Sequence, residues 1–416
     1  MALFARFLVT LIAFTTSVLS IPTLPLSTSS RWILDAESNR VKLRCVNWAG
    51  HMEMHLPEGL HKQPISYLAD WIAGQGFNCV RLTYSIDWAL DPTRTVSDAF
   101  SQGGTAAGVS AESVAAMYSQ ALVQNPFLAN ATTRDVYGEV IRQLWSRGVM
   151  TILDNHVSRA SWCCNLTDGN GWWDTAAGYN DLNSRYFNTT LWLEGLQSVA
   201  GWAAAQEGVV GLSLRNEIRQ FLLQGLNGPY DDWYDLVAQG AGVVHAAYPD
   251  ALVIIGGVAS ATDLSTVRTR ALDTSAWAGK HVWEWHAYSF TVTFKLDFGS
   301  CDVKKDEYGA FDGFLLTQDK DYTAPLFLSE FGVGMSGGDN DGLSDGDSSY
   351  LTCLVEYMSG NDAEWAVWAL QGTYYVRNGK TDYEETWGLL DSNWSTWRNA
   401  QFPGMLGAMW NVSQGP

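Results

Sequence analysis

Residues that could do chemistry recur in this chain directly after short apolar runs. Two of them are glutamates, Glu217 and Glu330, whose carboxyl groups can transfer protons or attack an electrophilic carbon. The other residues in equivalent positions are Arg81, His156, Asn216, His286, Tyr288 and Trp368. Buried polar and charged groups are costly unless they have partners or a task. Their presence on six of the eight strands predicted below therefore indicates a functional site.

The elements that position these residues follow from an alternation of apolar runs with amphipathic stretches. The runs predict strands at residues 43–48, 79–84, 149–155, 209–216, 252–256, 282–286, 326–330 and 366–369. The stretches predict helices at 65–74, 134–147, 183–206, 230–248, 263–272 and 348–358, with one more inside 306–318. Eight strands alternating with helices predict an α/β fold, a (β/α)8 TIM barrel. An open doubly wound sheet is less favoured, because no Gly-x-Gly-x-x-Gly segment follows the first strand.

Long connections follow the second and third predicted strands, at residues 85–131 and 158–181. Both would lie on the C-terminal face, where barrels build their active sites. The second connection contains clustered aromatic residues, including Trp172 and Trp173, and we expect it to form a wall of a groove.

Composition limits the possible partners. The chain has 416 residues, of which 47% are apolar and 17% charged, so it can bury a large core. Its net charge of −19 argues against nucleic acid or an anionic membrane surface as a partner. Twenty tryptophans in an acidic chain favour stacking on an uncharged ligand such as a sugar.

The N-terminus predicts secretion. Residues 1–20 carry one positive charge, then an apolar run, then small residues, which predicts a signal peptide and a single catalytic domain over residues 21–416. Glycosylation sequons lie at Asn130, Asn165, Asn188, Asn393 and Asn411. An even number of cysteines fits disulfides in an oxidising compartment, and these are Cys45, Cys79, Cys163, Cys164, Cys301 and Cys353. Cys163 and Cys164 could pair with each other, but we expect at least one to reach another loop, with Cys301 as a candidate.

In these residues the sequence resembles glycoside hydrolase family 5, a family of retaining (β/α)8 barrels of the cellulase type. The resemblance rests on Arg81, His156, Asn216-Glu217, His286-x-Tyr288, Glu330-Phe-Gly and Trp368, in the family's order and on the expected strands. The segment from Asp154 to Ser158, followed by Trp-Cys-Cys and Asp-Gly-Asn-Gly-Trp, is similar to a plant and fungal branch of the family.

The resemblance implies a role for each of these residues. Glu217 would be the acid/base and Glu330 the nucleophile, with carboxyl groups about 5–5.5 Å apart as a retaining reaction requires. Arg81, His286 and Tyr288 would hold Glu330. Asn216 and His156 would bind sugar hydroxyls, and Trp368 would form the floor under the cleaved sugar. Further sugar platforms, or alternatively core residues, are Trp48, Trp172, Trp173 and Trp285.

We therefore expect a secreted, monomeric endo-β-1,4-glucanase that binds a β-linked oligo- or polysaccharide and needs no metal or organic cofactor. The alternatives are a β-mannanase, an exo-acting β-glucosidase whose long loops block one end of the cleft, and a non-catalytic carbohydrate-binding barrel. The segment His51-x-Glu53-x-His55 offers metal-ligand types but not the helical spacing of a zinc site. We expect it to line the cleft or to pair with loops.

Overall fold

Eight parallel strands close into a barrel, which confirms the predicted fold. The computed structural model describes residues 21–225, 230–290 and 300–416, so the predicted signal peptide lies outside the described residues. The barrel strands are β3 Arg44–Trp48, β4 Cys79–Ser85, β5 Met150–Val157, β6 Val209–Ser213, β7 Leu252–Gly256, β8 His281–Ala287, β9 Leu326–Phe331 and β10 Glu364–Val367. They follow one another around the barrel in chain order, and β10 pairs with β3 to close it. A small hairpin of β1 Ser27–Ser29 and β2 Trp32–Leu34 precedes the barrel.

The alternation of side chains along each strand divides the core into two layers. Residues such as Cys45 and Cys79 face a compact cluster inside the barrel. Their neighbours Val46 and Val80 belong to a larger cluster between the strands and the surrounding helices. Near the C-terminal ends of the strands, the inward positions pass from apolar to polar residues, and these form the site described below.

Helices cover the outside of the barrel. They are α1 Ile65–Gly74, α2 Ile86–Leu90, α3 Val96–Ala106, α4 Ala111–Gln124, α5 Thr133–Trp145, α6 Asp181–Ser184, α7 Thr189–Ala203, α8 Asp231–Ala247, α9 Val258–Ala261, α10 Cys301–Phe311, α11 Asp345–Asn361 and α12 Phe402–Met405. Polar caps explain several starts: the Thr132 side chain and Asp135 form a capping box at α5, and Ser344 caps α11.

Three predicted segments differ from the structure. The 85–131 connection is largely helical, because Ser85, Thr95 and Ser110 cap α2, α3 and α4. The predicted helix 183–206 is interrupted, since Asn188 caps a new helix, α7. The predicted helix 263–272 is wrong. There the Asp263 carboxylate accepts the backbone N–H of Ser265, and only a short 3-10 turn, Ser265–Arg268, follows.

A hairpin that was not among the predicted elements follows the last barrel strand. It consists of β11 Thr373–Arg377 and β12 Lys380–Glu384, which pair in antiparallel fashion. Its turn residues Asn378 and Gly379 both have positive φ, at 51° and 71°. Asn-Gly between two runs rich in Tyr, Val and Thr is a strong hairpin signal, so the sequence did contain the information.

Three disulfides join the described cysteines. Cys45–Cys79 links the paired strands β3 and β4, and Cys301–Cys353 links the neighbouring helices α10 and α11. Cys163 and Cys164 pair with each other. The expected link from this pair to Cys301 is wrong, because Cys301 forms its disulfide with Cys353 on the adjacent helix.

Within the described residues, no helix has both the length and the apolar character needed to cross a membrane.

A buried ion cluster ties the N-terminal end of the barrel to the end of the chain. Asp362 accepts from Arg40 at 2.5 Å and from Lys42 at 2.6 Å, and from the backbone N–H groups of Ser413 and Gln414 at 2.7 Å each. Burial would raise the pKa of Asp362, but its bonds to Arg40 and Lys42 lower it to about 2. Its stabilising effect is therefore present above the ordinary pKa of 3.8 and is lost as the pH falls towards 2.

We expect Asp362→Asn to lower the free energy of unfolding by about 3 kcal/mol at neutral pH, because it removes the carboxylate that pairs with two buried cations. Denaturant titration measures the loss, which should shrink as the pH falls from 4 to 2. The matched control is Asp70→Asn, which removes the exposed Asp70–Arg147 pair and should change stability by less than about 1 kcal/mol. Equal losses in the two variants would contradict the assignment.

Candidate active site

A fully buried arginine, Arg81 on β4, occupies the centre of the barrel near its C-terminal end. Its Nη1 atom donates to Glu330 at 2.8 Å and to Asn47 at 3.0 Å. Its Nη2 atom donates to Asn216 at 2.8 Å and to Glu284 at 2.7 Å. It also lies 2.8 Å from a carboxylate oxygen of Asp154, and so connects five strands or strand ends.

Glu330 lies on β9 and has donors at both carboxylate oxygens. Arg81 donates to Oε1, and the hydroxyl of Tyr288 donates to Oε2 at 3.0 Å. Burial raises the pKa of Glu330, and the positive charges of His286 and Arg81 oppose that rise. The two donors orient the carboxylate and stabilise its ionised form.

Glu217 and Glu330 both lie at the Nδ1 edge of the His286 ring. The Nδ1 atom of His286 lies 3.2 Å from Glu217 and 3.7 Å from Glu330. One ligand atom from each of these three residues lies within 4.8 Å of the other two. Burial alone would lower the pKa of His286, but the surrounding carboxylates, Glu330 first, raise it to about 10. At neutral pH a protonated imidazole therefore lies beside the two carboxyl groups.

Asn216 and His156 occupy the next two positions around the site. Because Arg81 donates to the Asn216 side-chain oxygen, the Asn216 amide nitrogen faces His156 Nε2, at 3.2 Å. His156 Nδ1 lies 2.7 Å from Asp154. Burial lowers the pKa of His156 well below its ordinary value, so the ring is neutral and its Nδ1–H donates to Asp154. The Cys163 and Cys164 sulfurs lie 3.6 and 3.8 Å from the same amide nitrogen.

These groups open into a pocket of about 370 Å³ on the C-terminal face. Residues on its wall include His156, Trp162, Cys163, Cys164, Asn216, Glu217, His286, Tyr288, Phe290, Glu330, Trp368, Arg377 and Trp387. The Trp368 ring lies parallel to the His156 ring, with centroids 5.4 Å apart. A pocket with aromatic walls and convergent polar groups suits a sugar ring.

Several residues of this site were not predicted as site residues, among them two carboxylates and Trp387. Glu284 and Asp154 each precede a predicted site histidine by two residues and so share its face of the strand. That spacing is a signal the sequence offered. Trp162 lies in the 158–181 connection, which was expected to form a wall of a groove, and it does line the pocket. Trp387 lies in a loop after the hairpin, and its approach to the pocket depends on tertiary contacts that no local pattern shows.

The structure excludes four predicted sugar platforms. Trp48, Trp172, Trp173 and Trp285 are at most 1% exposed, so the alternative expectation, that they are core residues, holds. Trp48 and Trp285 each neighbour an inward residue on their strand, so they point outward into the helix layer. Trp172 and Trp173 pack against each other with centroids 5.2 Å apart, and Trp173 also packs on Trp192.

The segment from His51 to His55 is tied to the end of β4. His51 Nδ1 lies 2.7 Å from the Thr83 hydroxyl, and His55 Nδ1 lies 3.2 Å from the Ser85 hydroxyl. Among the described residues, the groups that could converge on a cation include Glu217, His286 and Glu330. A cation there would have to displace the His286 proton and compete with Arg81 for Glu330.

An eight-stranded parallel barrel that brings two carboxyl groups together at its C-terminal face defines a barrel-type glycoside hydrolase. The chain belongs to glycosyl hydrolase family 5, because the family model for the cellulases of family 5 matches residues 34–373. It is 39% identical to a glycosyl hydrolase 5 family protein of Chamaecyparis obtusa over 400 residues, 94% of this chain and 67% of the relative.

More distant relatives are endoglucanases. The major extracellular endoglucanase of Xanthomonas campestris is 22% identical, over 92% of this chain and 71% of that protein. The solved catalytic domain of the Xanthomonas enzyme has a TM-score of 0.69, with 92% of this chain and 99% of that one covered. The hyperthermophilic endocellulase of Pyrococcus horikoshii has a TM-score of 0.70 at 16% identity, with 94% and 99% covered. These structures share the barrel fold.

We expect Arg81→Lys to lower kcat by about 10²-fold with a smaller change in KM, because an ammonium group cannot orient Glu330, Asn216 and Glu284 together. Steady-state kinetics measures both constants. The control is Arg40→Lys, which changes a buried arginine of the Asp362 cluster at the other end of the barrel. That variant should lose stability and keep its kcat; a similar loss of kcat in both would count against a positioning role for Arg81.

Two tryptophan variants distinguish a tryptophan of the core from a tryptophan that contacts the substrate. Trp173→Phe should lower the melting temperature and leave KM unchanged, because the Trp173 ring is fully buried. Trp368→Ala should raise KM or lower kcat with little change in melting temperature, since its ring lines the pocket. Thermal unfolding and kinetics on one substrate would test both, and a raised KM in Trp173→Phe would contradict the core assignment.

Proposed function

We propose that this protein is a secreted, retaining hydrolase of β-linked glucans that uses Glu217 as acid/base and Glu330 as nucleophile. The observation that carries the proposal is the close approach of the two carboxyl groups, within 4.8 Å between their nearest oxygens. Retaining enzymes hold these groups about 5–5.5 Å apart, whereas inverting enzymes separate them by about 6.5–9.5 Å to admit a water molecule.

In the first step, Glu330 attacks the anomeric carbon while Glu217 protonates the glycosidic oxygen. The bond to the leaving sugar breaks and a glycosyl ester with Glu330 forms. Arg81 and Tyr288 keep Glu330 oriented towards the carbon, because they bind both of its oxygens. The His286 cation lies 3.7 Å from Glu330 and favours the negative charge that Glu330 needs for the attack.

In the second step, Glu217 is ionised and takes a proton from water. The resulting oxygen nucleophile attacks the anomeric carbon from the opposite face, and Glu330 leaves as a carboxylate. Two inversions give net retention of configuration. Arg81 and Tyr288 again stabilise the charge that returns to Glu330.

Three residues are suited to hold the sugar during both steps. The Asn216 amide faces the pocket beside Glu217 and suits the 2-hydroxyl, whose hydrogen bond strengthens in the transition state. His156 lines the pocket beside Asn216, and Trp368 provides an apolar ring face. The relatives named endoglucanases, and a cellotetraose complex of the Pyrococcus enzyme, support a β-glucan as substrate.

We expect Glu330→Gln to abolish turnover of β-glucans and aryl β-glucosides while leaving the fold and sugar binding intact. The amide keeps the size of the side chain but is a poor nucleophile. Product assays and calorimetric titration with an oligosaccharide measure the two properties. Hydrolysis near the wild-type rate would overturn the assignment of the nucleophile.

Azide rescue tests the two roles separately, with an aryl β-glucoside whose leaving group needs no acid. In Glu330→Ala, azide should attack the anomeric carbon directly and give the α-glucosyl azide. In Glu217→Ala, azide should attack the glucosyl ester and give the β-glucosyl azide. The opposite stereochemistry would exchange the roles, and preferential hydrolysis of mannan by the wild type would replace the substrate class.

A further inference from the structure

Two loops on the catalytic face meet at a pair of side chains, Trp162 and Arg377, which we call the clasp. The guanidinium carbon of Arg377 lies 4.6 Å from the centroid of the Trp162 ring. Trp162 follows β5, and Arg377 ends β11 in the hairpin after β10. Around the barrel, β10 and β5 are separated by β3 and β4. The clasp therefore spans the sector above the C-terminal ends of β3 and β4.

The hairpin holds the arginine of the clasp in place. Arg377 Nη1 donates to the Tyr374 hydroxyl at 2.9 Å and lies 3.5 Å from Glu385. Its guanidinium also lies 5.6 Å from the Tyr383 ring centroid, so the cation contacts aromatic rings of the hairpin as well as Trp162. Such cation–π contacts stabilise by about 0.5–2 kcal/mol, depending on how far they are desolvated.

The sector beneath the clasp does not contribute to the pocket. Among the described residues, those that line the pocket come from β5 to β10, their following loops and the hairpin, and none lies between residues 44 and 131. The side chains that follow β3 and β4 are packed away: His51, His55 and Trp88 are 2%, 5% and 1% exposed. A polysaccharide chain therefore has no groove to follow over β3 and β4.

The closed sector over β3 and β4 adjoins the sugar whose anomeric carbon Glu330 attacks. Trp368 on the β10 side and His156 on β5 flank the closed sector, and both are proposed contacts of this sugar. Glu217 must reach the glycosidic oxygen. The leaving group therefore lies on the Glu217 side of the attacked sugar, away from the closed sector. The pocket wall there carries the small side chains of Ser260 and Thr262.

We infer that the pocket accepts the non-reducing end of a glucan chain, so that the protein releases a single terminal sugar instead of cutting internal bonds. The inference rests on the proposed function and on its assignment of Glu217 to the leaving group. The pocket volume of about 370 Å³ agrees, because it is near the lower limit of ligand sites, about 300–1,000 Å³. The inference therefore favours the exo-acting alternative over the internal cleavage that was expected from the sequence.

Cellopentaose labelled at its reducing end tests the inference directly. The wild-type protein should first release unlabelled glucose and leave the label on the tetrasaccharide. Early labelled glucose or cellobiose, or unlabelled cellobiose and cellotriose, would overturn it. Hydrolysis of an aryl β-glucoside is measured in parallel. If neither that substrate nor any glucan is cleaved, the proposed function fails, whereas internal cleavage contradicts only the inference.

Opening the clasp should change the mode of cleavage. The measured quantity is the loss of viscosity of a soluble β-glucan per reducing end formed. We expect this ratio to be several-fold larger in Trp162→Ala and Arg377→Ala than in the wild type, because the glucan chain can then cross the opened sector and be cut internally. Arg377→Ala alters a partly exposed hairpin residue and remains informative if Trp162→Ala fails to fold. The matched control is Arg185→Ala, which removes another cation–π contact, with Tyr186, that does not line the pocket. Clasp variants with the same viscosity ratio as the wild type and the control would overturn the role of the clasp.

Discussion

The catalytic end of this barrel depends on the burial of one guanidinium group, that of Arg81. Burial lowers the pKa of Arg81, but the carboxylates of Asp154, Glu284 and Glu330 raise it above its usual value. A buried cation without such partners would be strongly destabilising, so the barrel has to supply acceptors from several strands. Two of those acceptors, Glu330 and Asn216, line the pocket, and the others lie beneath it. The same ion pairs that make Arg81 tolerable also orient Glu330 and Asn216.

The carboxylates outnumber Arg81, and His286 supplies the second positive charge. Its pKa of about 10 follows from the carboxyl groups around it, chiefly Glu330 and Glu217. Glu284 is bound by Arg81 and the Ser213 hydroxyl, and it lies 3.8 Å from His286. Although burial would raise the pKa of Glu284, these charges and bonds lower it to about 2. The two cations are thus joined through the ionised carboxylate of Glu284, so a change to one cation alters the surroundings of the other.

The sequence was sufficient to predict the barrel and the convergence of its polar residues. Apolar runs of strand length are a local signal, and the C-terminal ends of parallel strands must meet at one face. The same reasoning failed for Trp48 and Trp285, because being near a strand end does not decide which way a side chain points. Counting by two from His286 would have placed Trp285 outside and Glu284 inside. The alternation of side chains along the strand therefore predicts which residues face the site better than their distance from the strand end does.

The walls of the pocket could not be predicted in this way. Whether Cys163 pairs with Cys164 or with Cys301 depends on where α11 places Cys353, which is a contact between distant parts of the chain. The hairpin was recognisable from Asn378-Gly379, yet nothing local indicates that Arg377 reaches Trp162. The strand ends set which bond can be broken, whereas the loops set which part of a polymer can reach them. A relative can therefore share the carboxyl pair and the barrel with this protein and still differ in the loops that control access to the site.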